Sequence, residues 1–220
     1  MDEEYVRRLE TVIRQMLTPL RGLPFSLVID ALCGHRVIPF DETNADDVVL
    51  LEILKTAANR AAVALNAVGI RRHRPNEVGN DIEPYVERAL TDCGLPAHTP
   101  TTVSHRHKST GYPDLEFRDQ QGRTHYLECK TFNRDNVLTT QRSFYLSPSE
   151  DFKITQDAHH FVLSYEIFSA GEDGSNHIYK CAAWKIVSLS GLQVDVKYEF
   201  NSDNARLYSA ELVLAEGVVN

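Results

Sequence analysis

Apolar residues recur with a helical period in the first third of the chain. The first such set comprises Tyr5, Leu9, Val12, Ile13 and Met16. Their spacing places them on one helical face and predicts a helix over residues 3–17. A longer helix is predicted from about residue 46 to residue 67, because Asn44 or Asp46 can cap its start and Gly69 can end it.

A third helical pattern begins near Pro75. Its apolar stripe comprises Val78, Ile82, Tyr85, Val86, Ala89 and Leu90. Pro84 lies inside the pattern, so a start near Asp81, with the proline in the first turn, is also open. Glu77 and Glu83 flank the stripe on opposite sides.

The pattern then changes to the alternation typical of strands. Leu115 and Phe117 alternate with polar neighbours, and residues 119–122 form a polar stretch ending in glycine, which predicts a hairpin turn. In the second strand, residues 124–131, successive side chains point to opposite faces. Glu128 and Lys130 therefore share one face.

The rest of the chain, from residue 147, is predicted to contain one further helix followed by strands. Ser147, Pro148 and Glu150 form a helix-start pattern, so a helix is predicted from residue 147 to about residue 157. The predicted strands cover residues 160–168, 178–189, 194–200 and 207–214.

Composition and charge bound the class of protein. A chain of 220 residues with 42% hydrophobic residues is expected to form one compact domain. The four cysteines form no CxxC pair, which favours reduced thiols of a cytoplasmic protein over a disulfide framework. The net charge of −8 argues against nucleic-acid binding, but residues 71–145 carry 11 Lys and Arg against 10 Asp and Glu. We expect no membrane-spanning segment, because charged residues interrupt the apolar runs.

The hairpin concentrates charge on one sheet face. If its strands pair, Asp114 comes close to Glu128 and Lys130. Two carboxylates and an ammonium on one face are costly unless a divalent cation and a phosphate offset their charges. The alternative is a cross-strand salt-bridge cluster on an exposed sheet face.

These residues carry a resemblance to a known family. Pro113-Asp114 and Glu128-Cys129-Lys130, preceded by the helix that contains Gly79 and Glu83, resemble the PD-(D/E)xK nuclease superfamily, and within it the type II restriction endonucleases. The resemblance covers about residues 76–168. It implies an α/β (α+β) fold: a central mixed β-sheet flanked by helices, here a restriction-endonuclease-like core at 71–220 with an N-terminal helical extension at 1–70 for scaffolding or dimerisation.

The resemblance also implies a site and an activity. The activity is Mg²⁺-dependent hydrolysis of double-stranded DNA, with Mn²⁺ able to substitute. Asp114, Glu128 and Lys130 would be catalytic together with Glu83. Metal ligands would be Asp114, Glu128 and the backbone carbonyl of Cys129, with Glu83 or Glu77 acting indirectly.

Polar side chains on both sides of the hairpin are candidates for DNA contacts. They are Arg106, Lys108, Ser109, Asn133, Arg134, Asn136, Gln141 and Arg142. A palindromic target implies a homodimer, and a restriction enzyme implies a bacterial or archaeal cytoplasm. The competing hypotheses are a structure-specific or repair nuclease of the same fold and a non-catalytic DNA-binding module.

Overall fold

The computed structural model describes residues 2–16, 18, 20–108, 110–133, 144–197, 206 and 212. The chain divides into two compact units, one of residues 1–23 and 194–220 and one of residues 24–193. Two strands of two residues each, β1 (Leu23–Pro24) and β8 (Gln193–Val194), stand where the chain passes from one unit to the other.

The other elements follow the order of the chain. The helices are α1 (Glu3–Met16), α2 (Phe25–Cys33), α3 (Ala45–Val68) and α4 (Gly79–Asp92), with a 3₁₀ turn at Pro75–Glu77. The strands are β2 (Ile70–Arg72), β3 (Ala97–His98), β4 (Leu115–Arg118), β5 (Thr124–Phe132), β6 (His159–Asp173) and β7 (Asn176–Ser188).

Six of these strands form one mixed sheet in the order β2-β7-β6-β5-β4-β3. The β5–β6 pair is parallel, and the four other neighbouring pairs are antiparallel. Helices α3 and α4 pack against each other, α3 against β7 and α4 against β5. The predicted fold class, a mixed sheet flanked by helices, is confirmed.

Helix α3 begins and ends where its sequence signals stand. The Asn44 side chain accepts a hydrogen bond from the Asp46 N–H at 2.9 Å and caps the helix. Gly69, at φ 73°, follows the last residue of the helix, and a Cβ there would lie 2.6 Å from the Ile178 side chain. Glycine is thus required for both conformation and space.

The core lies between these two helices and the sheet. Apolar residues of α3 and α4 meet alternate residues of β4–β7, including Phe117, Leu127, Leu163 and Tyr165. The opposite side chains of β5, among them Tyr126 and Glu128, are therefore directed away from α4. Among the described residues, no helix combines the length and apolar character needed to cross a membrane.

The helix predicted over residues 147–157 is wrong. The segment 144–157 is neither helix nor strand, because its polar groups bond to other parts of the chain. The Phe152 carbonyl accepts a hydrogen bond from the Val103 N–H at 2.9 Å, and the Thr155 N–H donates to the Tyr126 hydroxyl at 2.9 Å. Tertiary bonds of this kind outweigh a local capping signal.

Smaller differences concern element boundaries. Helix α4 begins at Gly79, with Pro84 inside it, and β6 extends to Asp173, beyond the predicted end at residue 168. Of the strand predicted over residues 194–200, residue 194 belongs to β8, residues 195–197 form no strand, and the rest lies outside the described residues. The strand predicted at 207–214 also lies outside them, except for residue 212 in a turn. The division at residue 70 stays a prediction.

Candidate active site on the β4–β5 hairpin

Pairing between β4 and β5 brings the charged residues of the hairpin together. Leu115 pairs with Leu127, which sets Asp114 level with Glu128. The Asp114 Oδ2 atom accepts a hydrogen bond from the Cys129 backbone N–H at 2.8 Å. The hairpin and the approach of Asp114 to the second strand are as the alternation predicts.

Glu128 and Lys130 form an ion pair on the same face of β5. The Lys130 Nζ atom donates to Glu128 Oε1 at 2.6 Å. The Glu128 side chain is 6% exposed and the Lys130 side chain 27% exposed, so solvent reaches the ammonium more than the carboxylate. Cys129 points the other way, into the core, and is buried.

The carboxyl groups are held in surroundings that disfavour their ionised forms. Burial, followed by the charge of Asp114, raises the pKa of Glu128 to about 7, although Lys130 acts in the opposite direction. Burial also raises the pKa of Asp114, against the Cys129 hydrogen bond and the charges of Lys130 and Lys153. The fold therefore disfavours ionisation of both carboxyl groups, and Lys130 and Lys153 oppose this effect in part.

Helix α4 contributes a third carboxyl group. Glu83 is half-buried, and its pKa is raised to about 7 by burial and by the charge of Asp114, with Lys153 and Lys130 opposing. Glu77 lies in the exposed 3₁₀ turn, where its carboxylate accepts from the Arg74 N–H at 3.4 Å. The fold thus brings Glu83 within electrostatic reach of Asp114 and Lys130 and uses Glu77 to cap a turn.

The donor set fits a hard divalent cation. The Glu128 Oε2 atom is buried and has no hydrogen-bond partner among the described residues. Asp114 and Glu128 provide two carboxylates, and no group of three or more His, Cys, Asp or Glu side chains in the described part of the chain is arranged to hold a metal ion. A pair of carboxylates beside a backbone strand suits Mg²⁺, which binds through one or two carboxylates and keeps several waters.

The structure describes some of the residues predicted to contact DNA and not others. Arg106 and Lys108 are exposed in the segment before β4, and Asn133 is exposed directly after β5. Outside the described residues lie Ser109, Arg134, Asn136, Gln141 and Arg142. The neighbouring basic run at 71–74 is engaged within the fold, since Arg71 pairs with Asp173 and Arg72 with Asp81.

Sequence reasoning missed two groups beside the site. Lys153 is 2% exposed, and its charge acts on Asp114, Glu128 and Glu83. Tyr112 is buried, and its hydroxyl lies 2.6 Å from His160 Nδ1. The apolar neighbours of Lys153, Phe152 and Ile154, are a weak sign of burial, but the helix signal at residue 147 obscured it.

Comparison with known proteins extends this picture to the whole chain. The model of a family described as "Type II restriction enzyme MjaV family" matches residues 19–211. A curated protein named "Type II restriction enzyme MjaV", from Methanocaldococcus jannaschii, is 37% identical over 230 residues, covering 98% of this chain and 97% of that relative. No solved structure matches the chain.

Proposed function

The chain belongs to the type II restriction enzyme MjaV family. We therefore propose that it cuts double-stranded DNA by metal-dependent hydrolysis of phosphodiester bonds, in a site formed by Asp114, Glu128 and Lys130. Membership makes the protein a restriction endonuclease, a site-specific deoxyribonuclease, and favours this function over a repair nuclease or a non-catalytic module. The observation that supports the site is the half-buried Asp114 carboxylate and the buried Glu128 carboxylate beside the Lys130 ammonium on one hairpin. The arrangement also agrees with the PD-(D/E)xK resemblance.

The proposed cation is Mg²⁺, with Mn²⁺ able to replace it. Asp114, Glu128 and the backbone carbonyl of Cys129 would hold it, and Glu83 would act indirectly, through water. When bound, such a cation supplies Lewis acidity at the phosphate and lowers the pKa of a bound water. The buried, unpaired Glu128 Oε2 atom supports this assignment, since a cation would offset the cost of its burial.

Lys130 is proposed to act on the water and the phosphate as a hydrogen-bond donor. Burial lowers the pKa of Lys130, but the charge and hydrogen bond of Glu128 outweigh it, so the pKa is raised. The side chain is therefore an ammonium at neutral pH. In this state it can orient the attacking water and stabilise negative charge that develops on the phosphate oxygens.

Basic and polar residues that precede and follow the hairpin in the sequence are proposed to hold the DNA. Arg106 and Lys108 are suited to the phosphate backbone, which dominates affinity and makes it dependent on salt. Base-edge contacts from side chains after the hairpin would confer specificity. The proposed members of that second group are Asn133, Arg134, Asn136, Gln141 and Arg142.

A homodimer through α1 is proposed for a palindromic target. None of the residues of α1 is buried, and its apolar stripe remains exposed, with Tyr5 at 52% and Ile13 at 42%. The first turn is acidic and the last turn contains Arg14, so two antiparallel copies would bring unlike charges together. A two-fold axis of this kind would present two equivalent sites to two half-sites.

The dimer can be tested by the molar mass in solution. Ile13→Glu places a charge in the apolar stripe, and Thr11→Glu places the same charge on the opposite face as a matched control. We expect sedimentation equilibrium to show a dimer for the wild type and for Thr11→Glu, and a monomer for Ile13→Glu. A monomeric wild type, or an Ile13→Glu dimer of unchanged strength, would contradict the proposal.

The activity is tested with plasmid DNA and Mg²⁺. We expect discrete fragments that disappear with EDTA, and a rate reduced about 100-fold or more by Asp114→Asn or Lys130→Met. Asp92→Asn and Lys55→Met, at exposed helix positions, are matched controls that should cut like the wild type. Cleavage that survives both site variants would overturn the proposed site, and sequencing of the fragment ends would identify the cut position.

A further inference from the structure

Lys153 is a buried ammonium that bonds to the backbone just before Asp114. It lies in the non-helical segment 144–157, and its Nζ atom donates to the Gly111 carbonyl at 2.8 Å and to the Pro113 carbonyl at 2.9 Å. The second of these carbonyls belongs to the peptide group that continues into Asp114. Two hydrogen bonds from one nitrogen therefore fix the direction in which the chain enters Asp114.

A second contact holds the same turn from the side. The Tyr112 hydroxyl and His160 Nδ1 share a hydrogen bond at 2.6 Å, and the two rings stack at a centroid distance of 5.9 Å. His160 belongs to β6, the neighbour of β5 in the sheet. The residue between the two bonded carbonyls is thus anchored to the sheet while Lys153 anchors the backbone.

The segment that carries Lys153 is itself tied to β5. Two residues after Lys153, the Thr155 N–H donates to the Tyr126 hydroxyl at 2.9 Å. Tyr126 is fully buried and precedes Glu128 by two residues, so both side chains lie on one face of β5. A single segment therefore contacts both the backbone that leads into Asp114 and the strand that carries Glu128.

Burial of a lysine side chain costs free energy, and nearby carboxylates offset part of that cost. Burial lowers the pKa of Lys153, and the charges of Asp114, Glu128 and Glu83 raise it in part. Two carbonyl oxygens alone would need only a neutral donor. The lysine also lies within electrostatic reach of three carboxyl groups, those of Asp114, Glu128 and Glu83, which links it to the site.

We propose that Lys153 is a positioning residue for the reaction, which holds Asp114 in register with Glu128 and is assisted by the Tyr112–His160 hydrogen bond. The inference rests on the proposed function, in which Asp114 and Glu128 hold the cation. It predicts that loss of Lys153 impairs cation binding and turnover while DNA binding persists, because the carboxylates move and the DNA-contacting residues do not.

The test compares Lys153→Met, Lys153→Arg and wild-type enzyme, with Lys55→Met as a surface control. We measure kcat and KM on plasmid DNA, and the Mn²⁺ dissociation constant from the electron paramagnetic resonance of free Mn²⁺. For Lys153→Met we expect kcat lowered about 10- to 100-fold, Mn²⁺ affinity weakened about 10-fold, and KM within about 3-fold of wild type. Lys153→Arg, which keeps charge and donors, should recover part of both losses.

The direction of the Mn²⁺ change separates positioning from charge. Removal of a positive charge by itself would tighten cation binding, so weaker binding reports a displaced carboxylate. Unchanged or tighter Mn²⁺ binding by folded Lys153→Met would overturn the inference, whatever happens to kcat. If Lys153→Met does not fold, as judged by near-ultraviolet circular dichroism, Tyr112→Phe decides: a loss of about 3-fold in Mn²⁺ affinity supports the inference, and wild-type affinity refutes it.

Asp114→Asn, measured in parallel, keeps this inference distinct from the proposed function. If Asp114→Asn binds Mn²⁺ and cuts DNA like the wild type, the proposed function fails. If Asp114→Asn loses both properties while Lys153→Met retains them, the site stands and the positioning role fails.

Discussion

Asp114 accepts a hydrogen bond from the backbone N–H of Cys129 at 2.8 Å, so its carboxylate is held against the strand that carries Glu128. The bond joins the residue that precedes β4 to the backbone of β5. It keeps two carboxyl groups together although burial and the charge of Asp114 raise the pKa of Glu128. Like-charged groups remain in such an arrangement when the surrounding fold over-determines it, which is frequent at functional sites.

Mg²⁺ should stabilise the folded protein, and more so at pH 8 than at pH 5.5. The pKa values of Glu128 and Glu83 are raised to about 7, above their ordinary values. Their contribution to stability is therefore fully present at low pH and is lost as pH rises through about 7, where a cation can restore it. At about 100 times its dissociation constant, Mg²⁺ should raise Tm by several degrees in differential scanning calorimetry at pH 8.

Asp114→Asn is the control for this stabilisation. It keeps the shape of the side chain and removes its charge, so the Mg²⁺-dependent rise in Tm should largely disappear. An equal rise in Asp114→Asn and wild type would show that the cation binds elsewhere.

Glu83→Gln and Glu77→Gln should differ in their effect on cleavage. Asp114 and Lys130 act electrostatically on Glu83, whereas Glu77 caps a turn. We expect Glu83→Gln to lower the cleavage rate about 10-fold and Glu77→Gln to leave it within about 2-fold of wild type. The measurement is single-turnover cleavage at saturating Mg²⁺, and the reverse order would assign the third carboxyl group to Glu77.

Arg123, which lies outside the candidate active site, should contribute to the stability of the folded protein. Its guanidinium donates to Asp47 at 2.6 Å and to Asp119 at 2.7 Å, and both carboxylates are buried. Arg123→Met would leave these two charges without their cation, and we expect a loss of about 3 kcal/mol in the free energy of unfolding by urea. Arg118→Met, at an exposed position of β4, is the matched control and should change it by less than about 0.5 kcal/mol.

His160 should make stability depend on pH on the acid side. Burial, together with the charge of His159, lowers the pKa of His160 to about 3 from an ordinary value near 6.5. The unfolded chain therefore binds a proton between these values while the folded chain does not, so stability is lost as pH falls below about 6.5. Between these two pKa values, His160 lowers the free energy of unfolding by about 1.4 kcal/mol for each unit by which the pH falls.

His160→Asn tests that contribution directly. Urea unfolding of this variant between pH 4.5 and 6.5 should show a shallower dependence on pH than the wild type, whatever its absolute stability. His98→Asn, at an exposed position of β3, should keep the wild-type slope. A slope unchanged in His160→Asn would show that another group titrates.

The sequence alone determined those structural features that depend only on residues close together in the chain. The alternation in residues 124–131 placed Glu128 and Lys130 on one face because side chains of a strand point to opposite sides in turn. Asn44 and Gly69 bounded α3 because capping and positive φ are local properties. The hairpin register followed from a short turn, and with it the approach of Asp114 to Glu128.

Tertiary structure decided what depends on partners distant in the chain. A start signal at Ser147 did not produce a helix, since residues 152 and 155 bond to Val103 and Tyr126. The packing of α4 against β5 brought Glu83 under the electrostatic influence of Asp114 while Glu77 capped a turn, and Lys153 came to the site through the carbonyls before Asp114. Hydrogen bonds and burial between segments exceed the small free-energy differences of local propensity, so these features become visible only when the chain is folded.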